Sequence, residues 1–164
     1  MEKIELKITY IELENDTELS TEERELLQKA REASDLAYSP YSNFNVGAAL
    51  LLDNEIIVTG NNQENVAFPS GLCAERVAIF YAGANYPEAA IKTIAITCKS
   101  KEFSVNKPLS PCGACRQAMS EYEIRHKSII RIILQGETGK IRIINSIADL
   151  LPFMFEAKEL KKLN

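Results

Sequence analysis

Three cysteines and a glutamate carry the spacing with most chemical content in this chain: Cys73-Ala74-Glu75 and, further on, Pro111-Cys112-Gly113-Ala114-Cys115. Each group sits where a strand or loop gives way to a helical pattern. Two helix N-termini can therefore bring three sulfurs to one point, where unpaired amides and the positive dipole end favour thiolates. Three thiolates suit zinc. Structural zinc sites are closed by four protein ligands, whereas catalytic ones keep a position for water, so three cysteines beside a carboxylate imply the open kind. Glu75, two residues past a ligand, can approach a metal-bound water without coordinating. A carboxylate there takes and delivers protons, a shuttle worth ~10² to 10⁴ in rate. Three thiolates and a hydroxide would leave zinc net negative and a poor Lewis acid. Arg76 is placed to offset that charge by hydrogen bonding to sulfur.

A CxxC pair alone would be ambiguous between a structural knuckle, a redox pair and a catalytic site. Its occurrence together with CxE shifts the reading towards catalysis. Cys98 is available as a fourth ligand that would close the site, but it reads as a small core residue, the usual fate of a buried free cysteine. His126, the only histidine, stands between Arg125 and Lys127 and reads as a solvated helix end. Arg116 and Gln117 either support the ligand they follow or face the helix surface, and stay outside the site. The run from Lys158 to Lys162 reads as a solvated face.

The elements that must position these groups follow from pattern. Residues 3–10 alternate in period two, as a half-buried strand does. Ser20 and Glu23 form a capping box ahead of Leu26, Leu27, Ala30, Ala33 and Ala37, predicting a helix over 21–37 that ends before Ser39-Pro40. Strands are expected over 46–52 and 55–59, joined as a hairpin through Asp53-Asn54. A buried helix over 73–82 and a strand over 93–98 follow, then a helix over 111–123 with Pro111 in its first turn. The last two strands, 128–134 and 140–145, are joined by too short a segment for a parallel crossover and should be antiparallel. Short helices are expected over 146–151 and 157–163. This order implies a three-layer α/β/α domain with a mixed sheet of roughly five strands plus the extra N-terminal one.

At 164 residues the chain is the size of one domain, expected to span 1–164 with 1–19 as an N-terminal extension. A hydrophobic content of 46% and a charged content of 26% describe a folded soluble protein. No apolar stretch approaches the ~20 residues of a bilayer span. With 19 basic against 23 acidic residues and a net charge of −4, a nucleic-acid surface driven by counterion release is not expected. The first thirteen residues lack the pattern of a secretory signal, so a cytoplasmic location is expected, where thiols serve as ligands sooner than as disulfides.

CAE, PCGAC and their two helices resemble the zinc-dependent cytidine deaminases. So do AYSPYSNFNVGAALL (37–51), GNNQENVAF (60–68), CAERVAI (73–79), SPCGACRQ (110–117) and LLPFMF (150–155), in order. The resemblance implies the compact, all-cysteine subclass: a homotetramer with shared active sites and one Zn²⁺ per subunit, acting on free cytidine and deoxycytidine. Cys73, Cys112 and Cys115 match the zinc ligands and Glu75 the proton shuttle. Asn62 and Glu64, which read as turn residues on their own, match the pair that hydrogen-bonds the sugar 3′-hydroxyl. Phe44 matches a pocket aromatic, Ala74 a substrate-binding position, and Phe155 a ring packed on the base from a neighbouring subunit. Asn45 stands where the family usually has Pro, and Phe153 and Met154 are bulkier than usual. Glu64 would repel phosphate at the 3′ position, so free nucleosides and not polynucleotides are expected. The alternatives are a deaminase of a modified cytosine nucleoside of the blasticidin S type, which Asn62 and Glu64 disfavour, and a non-enzymatic zinc module, for which Glu75 would have no use.

Overall fold

The computed structural model describes residues 1–156. Its centre is a six-stranded mixed sheet of β1 (Ile11–Leu13), β2 (Phe44–Leu52), β3 (Ile57–Asn61), β4 (Ile91–Ser100), β5 (Arg131–Gln135) and β6 (Ile141–Ile144), in spatial order β1-β6-β5-β4-β2-β3. Neighbours are antiparallel except β4 and β5, which run parallel. The parallel pair is joined through a helix, as such a crossover requires. Helices α1 (Thr21–Asp35), α2 (Ala74–Asn85) and α3 (Gly113–His126) complete the layers. The antiparallel final hairpin is as expected, and the extra N-terminal strand makes the sixth.

β2 shows how the layers form. It is a nearly continuous apolar run because both its faces are covered. Ala48, Leu50 and Leu52 join the core with Ala78 and Ile79 of α2 and Met119 of α3, while Ala49 and Leu51 join Leu26, Leu27 and Ala30 of α1 on the other face. Two glycines set how closely the helices approach. A methyl on Gly47 would sit 1.9 Å from the Ala30 carbonyl of α1, and one on Gly60 would sit 2.6 Å from the Ala74 carbonyl and Ala78 amide of α2. Only glycine admits backbone that near.

Helix α1 starts as the capping box dictates: Ser20 Oγ accepts from the Glu23 amide at 3.2 Å, and Glu23 accepts from the Ser20 amide at 3.0 Å. It stops at Asp35, two residues short of the expected end. β3 begins at Ile57 rather than 55, because Glu55 takes a left-handed conformation (φ 65°) within the turn. Helix α3 begins at Gly113 with Cys112 as its cap, so Pro111 precedes the helix instead of lying in its first turn. Of the two expected C-terminal helices, the first is a single 3₁₀ turn at Ile147–Asp149 capped by Ser146, and the second lies outside the described residues.

The strand expected over 3–10 is not formed. Only Ile11–Leu13 pair with the sheet, against Ile143–Ile141 of β6. β6 ends at Ile144, which the register sets opposite Tyr10, so the alternating residues before Tyr10 have no edge to pair with. Among the described residues no helix is long and apolar enough to cross a membrane.

Candidate active site

Cys73 caps α2, Cys112 caps α3, and Cys115 lies in the first turn of α3. The two helix N-termini thus meet, and the three sulfurs lie within 4.8 Å of one another. Cys73 and Cys112 are separated by 3.8 Å and Cys112 and Cys115 by 3.4 Å. Two thiolates each about 2.3 Å from a tetrahedral zinc would stand about 3.8 Å apart, so the donor set fits that ion. Cys112 is exposed, Cys73 half-buried and Cys115 buried, which leaves one side of the cluster open. Cys98 is buried in β4 and is not part of the cluster; burial pushes its thiol up to about 11. A thiol so held is inert.

The charge in the cluster is managed by its neighbours. Cys73 is lowered to about 5 by a hydrogen bond from Cys115, working against burial, and by the guanidinium of Arg76. Arg76 Nη2 lies 3.7 Å from the Cys73 sulfur. Cys115, as donor to Cys73 and buried, moves in the opposite direction. Glu75 is only 4% exposed. Burial raises its carboxyl above the usual range, its own backbone amide pulls the other way, and the Cys73 sulfur adds to the rise. A carboxyl of this kind exchanges protons nearer neutral pH than a solvated one.

These groups open onto a cavity of about 780 Å³ whose walls include Phe44, Asn62, Glu64, Cys73, Glu75, Arg76 and Cys112. Seven residues singled out in the sequence are therefore brought to one space. Ala74 is buried in the first turn of α2, behind that wall. Phe155 is 68% exposed and is not among the described residues lining the cavity of its own chain.

The carboxamide of Asn62 does something the sequence did not reveal. Its Oδ1 accepts from the Val46 amide at 2.7 Å, and its Nδ2 donates to the Phe44 carbonyl at 2.9 Å. It therefore fastens the start of β2, and Phe44 with it, to the cavity wall. Glu64 accepts from the Tyr41 amide at 2.9 Å and the Ser42 amide at 3.3 Å. Burial pushes its carboxyl up, but the Ser42 hydroxyl and the two amides bring it below the usual range. Asn45, where the resemblance expects Pro, is buried: its Nδ2 donates to the Ser34 carbonyl at 2.9 Å and its Oδ1 accepts from Ser39. It ties β2 to the end of α1.

Several lining or supporting residues were not anticipated. Tyr41 and Phe68 meet edge to face across 6.0 Å at the rim. Their signal was present, since both lie inside the matching segments 37–51 and 60–68, though no periodicity marks them. Gln117 binds the Phe155 backbone twice, donating to its carbonyl at 2.9 Å and accepting from its amide at 3.2 Å. Arg116 donates to the Pro111 and Leu150 carbonyls, at 2.9 and 2.8 Å. Both belong to the frame of the site, and neither faces solvent idly. His126 is half-buried at the end of α3, with Nε2 3.2 Å from the Pro87 carbonyl, where a solvated end was expected.

Comparison with known proteins bears on the same residues. The family model described as the cytidine and deoxycytidylate deaminase zinc-binding region matches residues 20–130, which include all three sulfurs of the cluster. A cytidine deaminase of Halalkalibacterium halodurans is 36% identical over 135 residues, covering 82% of this chain and 95% of its own. One from Sporosarcina psychrophila is 35% identical over 135 residues, covering 82% and 92%. The crystal structure of cytidine deaminase from Burkholderia pseudomallei superposes with a TM-score of 0.69 at 38% identity, over 80% of this chain and 97% of that one. With its three-thiolate cluster, its buried carboxylate and its six-stranded sheet, the chain belongs to the family of zinc-dependent cytidine and deoxycytidylate deaminases.

Proposed function

We propose that this chain hydrolyses the 4-amino group of free cytidine and 2′-deoxycytidine, yielding uridine or 2′-deoxyuridine and ammonia, as a step of pyrimidine salvage. The reading rests above all on Glu75, a buried carboxylate sharing one cavity wall with two sulfurs of the zinc cluster. A metal that only stapled two helices would need no such group.

Cys73, Cys112 and Cys115 would hold the zinc ion. Zinc bound there supplies a Lewis acid that brings the pKa of water towards neutrality. The chain's own residues do the rest. Glu75 accepts a proton and delivers it to ring N3 of the cytosine, then carries a second to the departing amino group. Its burial and raised carboxyl suit a group that must hold and release protons in turn. Arg76 hydrogen-bonds to the Cys73 sulfur and offsets its negative charge, which would leave a bound zinc the stronger Lewis acid. Phe44 offers an apolar wall to the base, with Ala74 beside the reacting end. Asn62 and Glu64 take the sugar hydroxyls, and the negative charge of Glu64 excludes a 3′-phosphate. Phe155, exposed on its own chain, completes a neighbour's pocket in a homotetramer with shared sites. The whole chain acts as one domain, residues 1–164 with 1–19 as an extension, in the cytoplasm.

The test is to incubate zinc-quantified protein with cytidine, deoxycytidine, cytosine and single-stranded DNA while following the ultraviolet change on loss of the amino group. Turnover of the two nucleosides alone is expected. Deamination of single-stranded DNA as fast as cytidine would overturn the assignment of Glu64.

A further inference from the structure

The N-terminal arm leaves the sheet with an unsatisfied pattern. Ile4, Leu6, Ile8 and Tyr10 occupy alternate positions and are 77, 60, 50 and 51% exposed, while Lys3, Glu5, Lys7 and Thr9 occupy the positions between. Among the described residues, no hydrogen bond joins residues 1–9 to the rest of the chain. The root of the arm is nonetheless held. Arg142 of β6 binds Glu12 at 3.1 Å and lies over the Tyr10 ring, 4.6 Å from its centre. The arm therefore departs from a fixed point on the sheet edge. Apolar positions are even before Tyr10 and odd in β1, where Leu13 packs on the α1 layer. One straight strand on this sheet could not bury both sets, since successive side chains face opposite sides. Among the described residues, the arm is left with unpaired strand edges and an exposed apolar row.

We infer that the arm pairs edge to edge with the same arm of a second copy of the chain, antiparallel about a two-fold axis at Leu6, which sets the two apolar rows side by side on one face. The register follows from side-chain type. Opposed residues in an antiparallel pair share a face, so only registers that match even with even positions keep apolar against apolar. Centring on Glu5 sets Glu5 against itself and Lys3 against Lys7, and centring on Lys7 sets Lys7 against itself; like charges directly opposed are unfavourable. Centring on Ile8 puts Glu5 against Ile11 and Ile4 against Glu12, and centring on Ile4 puts Glu2 against Leu6 and Met1 against Lys7. Centring on Leu6 sets Leu6 against the partner's Leu6 once, on the axis, and sets Ile4 against the partner's Ile8 and Glu5 against the partner's Lys7, each twice. The contact is isologous, so it closes at two arms. It is independent of the deaminase reading, because no residue of the arm lines the cavity.

The test uses single cysteine replacements in the full-length, zinc-loaded protein under mild oxidation, read as reducible dimer on a denaturing gel. Leu6→Cys is expected to cross-link at least about tenfold faster than Ile4→Cys or Ile8→Cys alone, because only position 6 faces itself. A mixture of Ile4→Cys and Ile8→Cys proteins is expected to form the mixed dimer. In the Leu6→Cys background, Glu5→Lys is expected to slow cross-linking about tenfold, and Glu5→Lys with Lys7→Glu to restore it. Equal cross-linking at all three positions, no cross-linking at any, or no rescue by the double reversal would each overturn the pairing. Zinc content serves as the control for folding, since the arm lies outside the cluster.

Discussion

Arg76 reaches back three residues along α2 to place a guanidinium nitrogen 3.7 Å from the sulfur of Cys73, the residue that caps that helix. Residues three apart on a helix share a face, so the contact is built into the first turn. Arg76 also lines the cavity, as Cys73 does, so its positive charge stands beside the thiolate at the cavity wall.

Arg76→Gln keeps a polar side chain and removes the charge. Residues that hydrogen-bond to metal ligands typically contribute 10- to 100-fold in affinity or activity. A fall of about tenfold or more in zinc affinity or in kcat is expected, measured by chelator competition and steady-state kinetics. Both values unchanged would remove the role assigned to Arg76.

Glu75→Gln preserves shape at a buried position and abolishes proton transfer. Metal analysis should find about one zinc per chain, as in the parent, while kcat falls by at least ~10². Near-normal turnover would show that another group carries the protons.

Gly60→Ala tests how the site is positioned. The added methyl would meet the Ala74 carbonyl and the Ala78 amide at 2.6 Å, and helical backbone cannot yield as a flexible side chain can. Displacing α2 should cost about 1–3 kcal/mol in denaturant unfolding. It should also lower zinc content, because Cys73 and Glu75 ride on that turn. A stable variant with full zinc would contradict the close approach.

Acid stability should report on Glu23. Burial alone would raise its carboxyl, but the Ser20 amide and Arg131 hold it below its ordinary value of 4.5. A group depressed in the folded state stabilises above its unfolded pKa and loses that contribution as pH falls through the folded value. Glu23→Ala is therefore expected to cost about 1 kcal/mol near pH 7, a helix cap together with a screened ion pair. The gap between parent and variant in urea midpoint should close below about pH 4. A gap that stays constant with pH would mean the loss is not electrostatic.

Sequence and fold differ in what each could disclose. The capping box at Ser20 and Glu23, the two hairpins and the placing of Cys73 and Cys112 at helix starts depend on residues close along the chain, and all were legible. Pattern alone overextends the strand in residues 3–10, because alternation says a segment suits a strand but not whether an edge exists for it.

By itself the sequence determined the donor set, the carboxylate beside it and the layered order of elements, since each is a matter of residue type at short spacing. Only the tertiary structure decided that Asn62 fastens Phe44, that Gln117 holds Phe155 from 38 residues away, and that Gly60 sets the depth of α2. Such contacts join residues whose separation along the chain carries no signal. They exist because packing brings particular backbone groups within hydrogen-bonding or van der Waals distance, and that proximity is a property of the folded whole.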